Sequence, residues 1–436
     1  MEKNLRLFDL AIRQVDLFPD LTMFAHKKNG EWANVSSLEF LNQVNVISKG
    51  LVALGVKPND KVGLVADSSI EWHIVDFAIQ QIGAIVVAIY PNISDSDYQF
   101  IFNDAEIKLC IVSNKNLFNR LTQLNASIYS LKYIFCIDQQ EGIRNWQELK
   151  TIGAHISDST IEELRERINH TDLATLIYTS GTTGKPKGVM LSHHNIISNV
   201  QAAREITPCK SYDRGLTFLP PCHAYERMVI YTYMYIGITI YIAESLDKIG
   251  QNITEIKPHI MTAVPRILEK VYEKIMKTGL ELTGMKRKIF DWAVEVAEKF
   301  DPNPKNLSFS YRLKLKLAKK VVLNKWYEAL GGHLLTVASG SASLQAKLAR
   351  VFLAAGIPLY EGYGMTEASP LISVNHYIKG IRIGTVGPAV KFVEIKLAED
   401  GEILVKGPNV MQGYYKNKEE TEKTISVDDG MLRRRI

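Results

Sequence analysis

Cysteine is scarce in this chain. Four occur in 436 residues (Cys110, Cys136, Cys209, Cys222), and no two stand at the short spacing of a zinc site or a dithiol redox motif. A disulfide framework is excluded, and reduced thiols of a cytoplasmic protein are expected. Long apolar runs are also missing. The longest, residues 228–243, is interrupted at Gly237 and falls short of the about 20 residues that a membrane-spanning helix needs. It reads instead as a buried helix (228–236) turning at Gly237 into a buried strand (238–243). The opening Met-Glu-Lys-Asn-Leu-Arg leads into no signal-type segment. Repeats and low-complexity tracts are absent, which excludes solenoid and disordered classes. No groove-reading motif accompanies the positive charge, so nucleic acid is not the expected partner.

What is present is a large apolar fraction, 46%, enough for a sizeable core distributed over two to three domain-sized units. Short β-rich runs at 61–66, 84–90, 109–112 and 133–137 alternate with helical patterns at 69–82 and 95–104. That alternation predicts an α/β fold with mostly parallel sheets covered by helices. The rhythm resumes with a strand at 173–179, a hairpin loop and a strand at 188–191. Ser192 is placed to cap a helix starting near His193. Pro265 opens an amphipathic helix with apolar residues at 267, 268, 271, 272 and 275. From about residue 384, short strands with glycine turns predict a small β-barrel-like unit.

The net charge of +5 is unevenly placed: residues 257–325 hold sixteen Lys/Arg against seven Asp/Glu. Two explanations stand side by side. The excess is a solvated helical face, or it is a surface for anionic lipid or the nucleotide part of a cofactor.

The densest chemistry lies in Tyr178-Thr-Ser-Gly-Thr-Thr-Gly-Lys-Pro-Lys-Gly-Val189. Its glycines let backbone approach an anion, its hydroxyls donate to phosphate oxygens, and its lysines add charge. A strand leads into it, as at ligand sites of α/β proteins. The spacing is not that of a Walker A loop. This segment resembles the phosphate loop of the adenylate-forming enzymes, which include acyl-CoA synthetases, peptide-synthetase adenylation domains and firefly-type luciferases. Four further segments fall in that superfamily's order: Leu219-Pro-Pro-Cys-His-Ala-Tyr-Glu-Arg227, Ala338-Ser-Gly-Ser-Ala-Ser343, Tyr360-Glu-Gly-Tyr-Gly-Met-Thr-Glu-Ala368, and Gly401-Glu-Ile-Leu-Val-Lys-Gly-Pro408 followed by Gly413-Tyr-Tyr415.

The resemblance implies a reaction. A carboxylate attacks the α-phosphorus of ATP, and the acyl-AMP formed passes its acyl group to a thiol, here coenzyme A. It implies that Thr179, Ser180, Gly181, Thr182, Thr183, Gly184, Lys185 and Lys187 hold the β- and γ-phosphates. It gives Thr366 to the α-phosphate, Glu367 to Mg²⁺, and Gly340, Ser341, Ala342, Glu361, Gly362 and Tyr363 to adenine. His223 would sit near the acyl carboxylate, with Glu226 and Arg227 as a structural ion pair beside it. The His-x-x-Glu-Arg form resembles the long-chain fatty acyl-CoA branch, and the absence of a carboxylate at 222–225 argues against an amino-acid substrate. Loading of a carrier protein, luciferase-like oxidation, and nucleotide or acyl binding without turnover remain alternatives. By analogy the chain is the family's large N-terminal domain: an α/β unit at 1–170, a second at 171–335, and the adenine/Mg²⁺ site with the barrel-like unit at 336–430. At 431–436, Arg434-Arg435-Ile436 stands where Thr-Gly-Asp is expected, so a truncated chain of low activity, lacking the C-terminal domain, is anticipated.

Overall fold

The structure, a computed structural model, describes residues 4–179, 184–426 and 430–434. The strands assemble into two large mixed sheets, and the predicted ones fall mainly in the first. Numbering strands in chain order, the first sheet runs β17 (Gly413–Tyr414), β8 (Lys187–Ser192), β7 (Leu173–Thr179), β4 (Ile85–Ala88), β3 (Lys61–Val65), β5 (Leu109–Val112), β6 (Tyr133–Cys136). The five strands from β7 to β6 are parallel, while β8 and β17 are added antiparallel. The second sheet runs β14 (Leu371–Val374), β13 (Leu359–Gly364), β12 (Thr336–Ser339), β11 (Ile260–Ala263), β9 (Arg214–Thr217), β10 (Thr239–Ile242), β1 (Thr22–Lys28), β2 (Glu31–Ser36). Only its edge pairs, β13/β14 and β1/β2, are antiparallel. Central strands such as β4, β5 and β11 are buried at every residue, as parallel strands covered on both faces must be.

The sheets cross the division anticipated at residue 170. Strands β7 and β8 complete the sheet of the first segment, and β1 and β2 leave it to pair beyond β10. The β-rich unit expected from about residue 384 is, among the described residues, an antiparallel sheet of β15 (Glu394–Leu397), β16 (Ile403–Lys406) and β18 (Leu432–Arg434).

Local chemistry sets the helices between the sheets. Ser192 caps the helix His193–Ile206, accepting from the Asn195 amide while the Asn195 side chain accepts from the Ser192 amide. Gly237, at φ +90°, ends the helix Ala224–Ile236, and β10 follows at once. Nearly every residue of that helix is buried, because it is sandwiched between the two sheets.

Candidate functional site

Adjacent residues of the buried helix Ala224–Ile236 anchor it to opposite sheets. Arg227 bonds to Asp76 of the helix Ile70–Gln80, to Thr175 of β7 at 2.8 Å and to the Tyr231 hydroxyl at 2.9 Å. Glu226 instead accepts from Thr217 of β9 and from Thr262 of β11 at 2.7 Å. The expected Glu226–Arg227 ion pair therefore does not form. Neighbouring helix positions point about 100° apart and do not face one another. Burial pushes the Glu226 carboxyl up to about 7, against the two threonine hydrogen bonds, which lower it.

Between this helix, the helix His193–Ile206 and the facing second sheet lies a cavity of about 550 Å³. Its floor follows the strand register. Ile260 and Thr336 form one row across the sheet, and Thr262, Ala338 and Tyr360 form the next. Beyond them, at the carboxyl ends of the strands, come Gly340 and Gly362. Neither glycine adds a side chain to the cavity wall, and a Cβ on Gly362 would meet Val374 at 3.2 Å. The Tyr225 ring lies 3.5 Å from where a Cβ on Gly340 would stand, and its hydroxyl donates to the Ala338 carbonyl at 3.0 Å. Most of the lining is aliphatic or aromatic, including Ile206, Met228, Val229 and Leu371. Four buried polar atoms on residues lining the cavity have no partner among the described residues: Tyr233 Oη, Thr336 Oγ1, Ser339 Oγ and His376 Nδ1. Such groups call for a polar ligand or ordered water.

His223 opens onto this cavity at the helix start, its ring stacked on Tyr90 at 5.5 Å between centroids. Desolvation lowers its pKa and favours the neutral imidazole. Tyr363, near the end of β13, and Thr366, on the segment that leaves it, line the same cavity. Glu367, one residue on, is not among the lining residues and is 8% exposed. Its Oε1 accepts from the Tyr414 hydroxyl at 2.8 Å, and its carbonyl accepts from the Met411 amide. Tyr414 pairs in β17 with Val189 of β8, directly beyond the phosphate-loop segment. Lys187 Nζ lies 5.4 Å from the Tyr414 ring centroid and 2.6 Å from Glu420.

Of the residues anticipated for the site, the structure brings His223, Gly340, Ser341, Gly362, Tyr363 and Thr366 together around one cavity. Ala342 is exposed on the adjoining turn. The Glu361 carboxylate fastens that turn by accepting from the Leu344 amide at 2.9 Å. Thr179 ends β7 opposite Lys187, Gly184 has φ +89°, and Lys185 is exposed. Ser180, Gly181, Thr182 and Thr183 lie outside the described residues. Sequence reasoning missed Tyr90, Tyr225 and Tyr414. Tyr90 had a signal: it follows the carboxyl end of a parallel strand, where α/β sites form. Tyr414 stands in the Gly413-Tyr-Tyr415 segment, but its contact with Glu367, 47 positions away, had no signal.

Comparison with known proteins gives consistent matches. Residues 12–415 match the family described as AMP-binding enzyme. The long-chain-fatty-acid–CoA ligase FadD15 of Mycobacterium bovis is 30% identical over 421 residues, covering 95% of this chain and 69% of that protein. A long-chain-fatty-acid–[acyl-carrier-protein] ligase of Arabidopsis thaliana, AEE15, is 28% identical over 434 residues, covering 87% and 59%. The crystal structure of a long-chain-fatty-acid-CoA ligase (FadD1) from Archaeoglobus fulgidus superposes with a TM-score of 0.77 at 19% identity, covering 99% of this chain and 81% of that one. That last likeness speaks for the fold.

Proposed function

The chain belongs to the AMP-binding enzyme family, and from that premise we propose that it activates a long-chain fatty acid as acyl-AMP and passes the acyl group to coenzyme A. The observation that carries the reading is the cavity: an aliphatic chamber continuous with His223, Thr366 and the two glycines Gly340 and Gly362. An apolar chain and a polar nucleotide thus have adjoining places. In the first step a carboxylate oxygen bonds to the α-phosphorus as the bond to the β-phosphate oxygen breaks, releasing pyrophosphate. In the second, a thiol sulfur bonds to the acyl carbon, AMP leaves, and the thiol proton is lost.

The residues fit the implied groups. A planar base fits where two glycines carry no side chain. Magnesium is commonly held by one or two carboxylates plus substrate phosphates. Glu367, restrained by Tyr414, offers one such carboxylate. Bound there, the ion would supply positive charge for the departing pyrophosphate. His223, held against Tyr90 in its neutral form, can donate one hydrogen bond to the acyl carboxylate without adding a fixed charge. Thr366 can donate to an α-phosphate oxygen. Lys185, exposed in the connection between β7 and β8, adds cationic charge for the outer phosphates, and Lys187, now paired to Glu420, must exchange that partner to reach them. The aliphatic wall excludes water from the mixed anhydride, which hydrolysis would waste.

The test separates binding from turnover. Saturated acyl-sulfamoyladenosines of increasing chain length should raise the melting temperature, most at long chain lengths, and the same fatty acids should support ATP–pyrophosphate exchange. No stabilisation by any acyl length would overturn the proposal. A second reading, transfer to a carrier-protein thiol, is favoured by the similarity to AEE15. Offering coenzyme A and a phosphopantetheinylated carrier protein to the preformed acyl-AMP decides between acceptors.

A further inference from the structure

The positive stretch at 257–325 acquires a shape in the structure that charge alone does not give it. Its helix Phe309–Ala318 buries only Leu315 and Ala318 against the rest of the protein. On the outward side, Phe309, Leu313 and Leu317 are 77%, 54% and 52% exposed, and Val321 in the following turn is 36% exposed. These residues recur every four positions, so they make one stripe along the helix. A merely solvated helix turns its leucines inward and its lysines outward. Here leucines point both ways, and only one set is covered.

The cations are placed to match. Lys316 and Lys320 fall on the same outward face as the stripe, with Arg312 and Lys314 flanking it, and all four are exposed. Between residues 302 and 327 there are seven Lys/Arg and no Asp or Glu. The adjoining helix, Gly284–Glu298, packs against this one and carries three acids near it. Each already has a cation: Asp291 pairs with Arg287 at 2.7 Å, Glu295 with Lys299 at 2.6 Å and Glu298 with Lys347 at 2.9 Å. That helix also leaves Met285 and Ile289 exposed, one turn apart, with Lys286 and Lys288 beside them. Among the described residues, Lys314, Lys316 and Lys320 have no acidic partner within ion-pair distance.

We propose that this face docks on the surface of an anionic lipid bilayer, with the Phe309–Leu317 stripe in the acyl–headgroup boundary and the lysines at the phosphates. An apolar stripe interspersed with long cationic side chains suits that interface, because lysine stems lie along the apolar zone while their ammonium groups reach the lipid phosphates. An acidic protein surface would match the charge but not the lengthwise apolar strip. The proposal is independent of the ligase reading, since docking needs neither ATP nor fatty acid.

The full chain is sedimented, without substrates, with vesicles of equal parts phosphatidylglycerol and phosphatidylcholine, and with phosphatidylcholine alone. Binding to the anionic vesicles that weakens with salt is expected. Lys316→Gln with Lys320→Gln should weaken it on the order of 30-fold, from roughly 1 kcal/mol per basic residue. Lys316→Arg with Lys320→Arg should retain it. Leu313→Ser with Leu317→Ser should weaken it about tenfold or more, while circular dichroism and melting stay near wild type because both positions are exposed. Equal binding to both vesicle types, insensitivity to the lysine or leucine changes, or no vesicle binding together with a dimer that the leucine variants dissociate would each overturn it.

Discussion

Tyr414 reaches Glu367 with a single hydrogen bond of 2.8 Å, and that contact fixes one carboxylate oxygen in a buried setting. A metal-binding carboxylate held by one hydroxyl depends on it for direction, and losing such a partner typically weakens metal affinity or activity 10–100-fold, by about that much. Tyr414→Phe is therefore expected to raise the Mg²⁺ concentration for half-maximal pyrophosphate exchange by about tenfold, with the Michaelis constant for fatty acid little changed. Glu367→Gln, which replaces the anionic oxygen itself, should be more severe. An unaltered Mg²⁺ titration in both variants would remove Glu367 from the metal site. Glu226 supports a prediction of a different kind. Its carboxyl is raised from 4.5 to about 7, so the folded chain retains a proton that the unfolded chain releases. Its contribution to stability must fall as pH rises from about 4.5 to about 7 and level off above that. In Glu226→Gln this component should vanish, leaving the variant at least as stable as wild type at pH 8 by thermal melting. A variant that melts much earlier at pH 8 would show that the charged carboxylate is needed by Thr217 and Thr262.

The helix Ala224–Ile236 and its exit show what the sequence could and could not disclose. The run from helix through Gly237 into strand was readable because burial on every side leaves a uniform apolar pattern and only glycine breaks it. Ser192 as a cap and Pro265 at a helix start were readable too, since both act within one turn. The opposite directions of Glu226 and Arg227 were not, because the partners that decide them, Thr262 and Asp76, lie 36 and 151 positions away. The same reason hid the contact of Tyr414 with Glu367, and hid the pairing of β1 with β10. At the site, six of the anticipated motif residues gather around the cavity, whereas Glu361 and Lys187 are engaged with Leu344 and Glu420. Gly237 also carries a steric demand. A Cβ there would meet the Phe18 ring at 2.7 Å, at a φ of +90°. Gly237→Ala is expected to cost about 1–3 kcal/mol, from left-handed backbone strain and overpacking. Chemical denaturation should show a lower midpoint with an unchanged slope. A midpoint equal to wild type would mean that Phe18 and the turn yield freely.

Across the whole molecule, the layer of helices between the sheets is dry enough to set the response to acid. His73 stacks on Phe24 with neither ring nitrogen partnered among the described residues, and His193 accepts from the Leu7 amide. Burial, aided by the Arg227 charge, lowers His73 from 6.5 to about 3, and burial lowers His193 similarly. Both depressed values oppose protonation in the folded chain, so their contribution is fully present above pH 6.5 and declines as pH falls toward 3. Two histidines outweigh the opposing effect of one Glu226, and melting temperature should drop between pH 6.5 and 4.5. His73→Phe should flatten that slope, and an equally steep slope in the variant would place the acid sensitivity elsewhere. The exchange of strands between the sheets has its consequence during synthesis. Residues 61–192 supply six neighbouring strands of the first sheet and can pair as they leave the ribosome. Strand β1 can pair early only with β2, because its other neighbour, β10, begins at Thr239. At a translation speed of about 5–20 residues per second, the hairpin waits roughly 10–40 s for its neighbour. Met23 and Phe24, with 0% exposure in the finished fold, stay uncovered by their sheet for that interval. The oldest strand of the second sheet thus has the longest wait for a neighbour in that sheet, and the nascent chain is open to chaperones there.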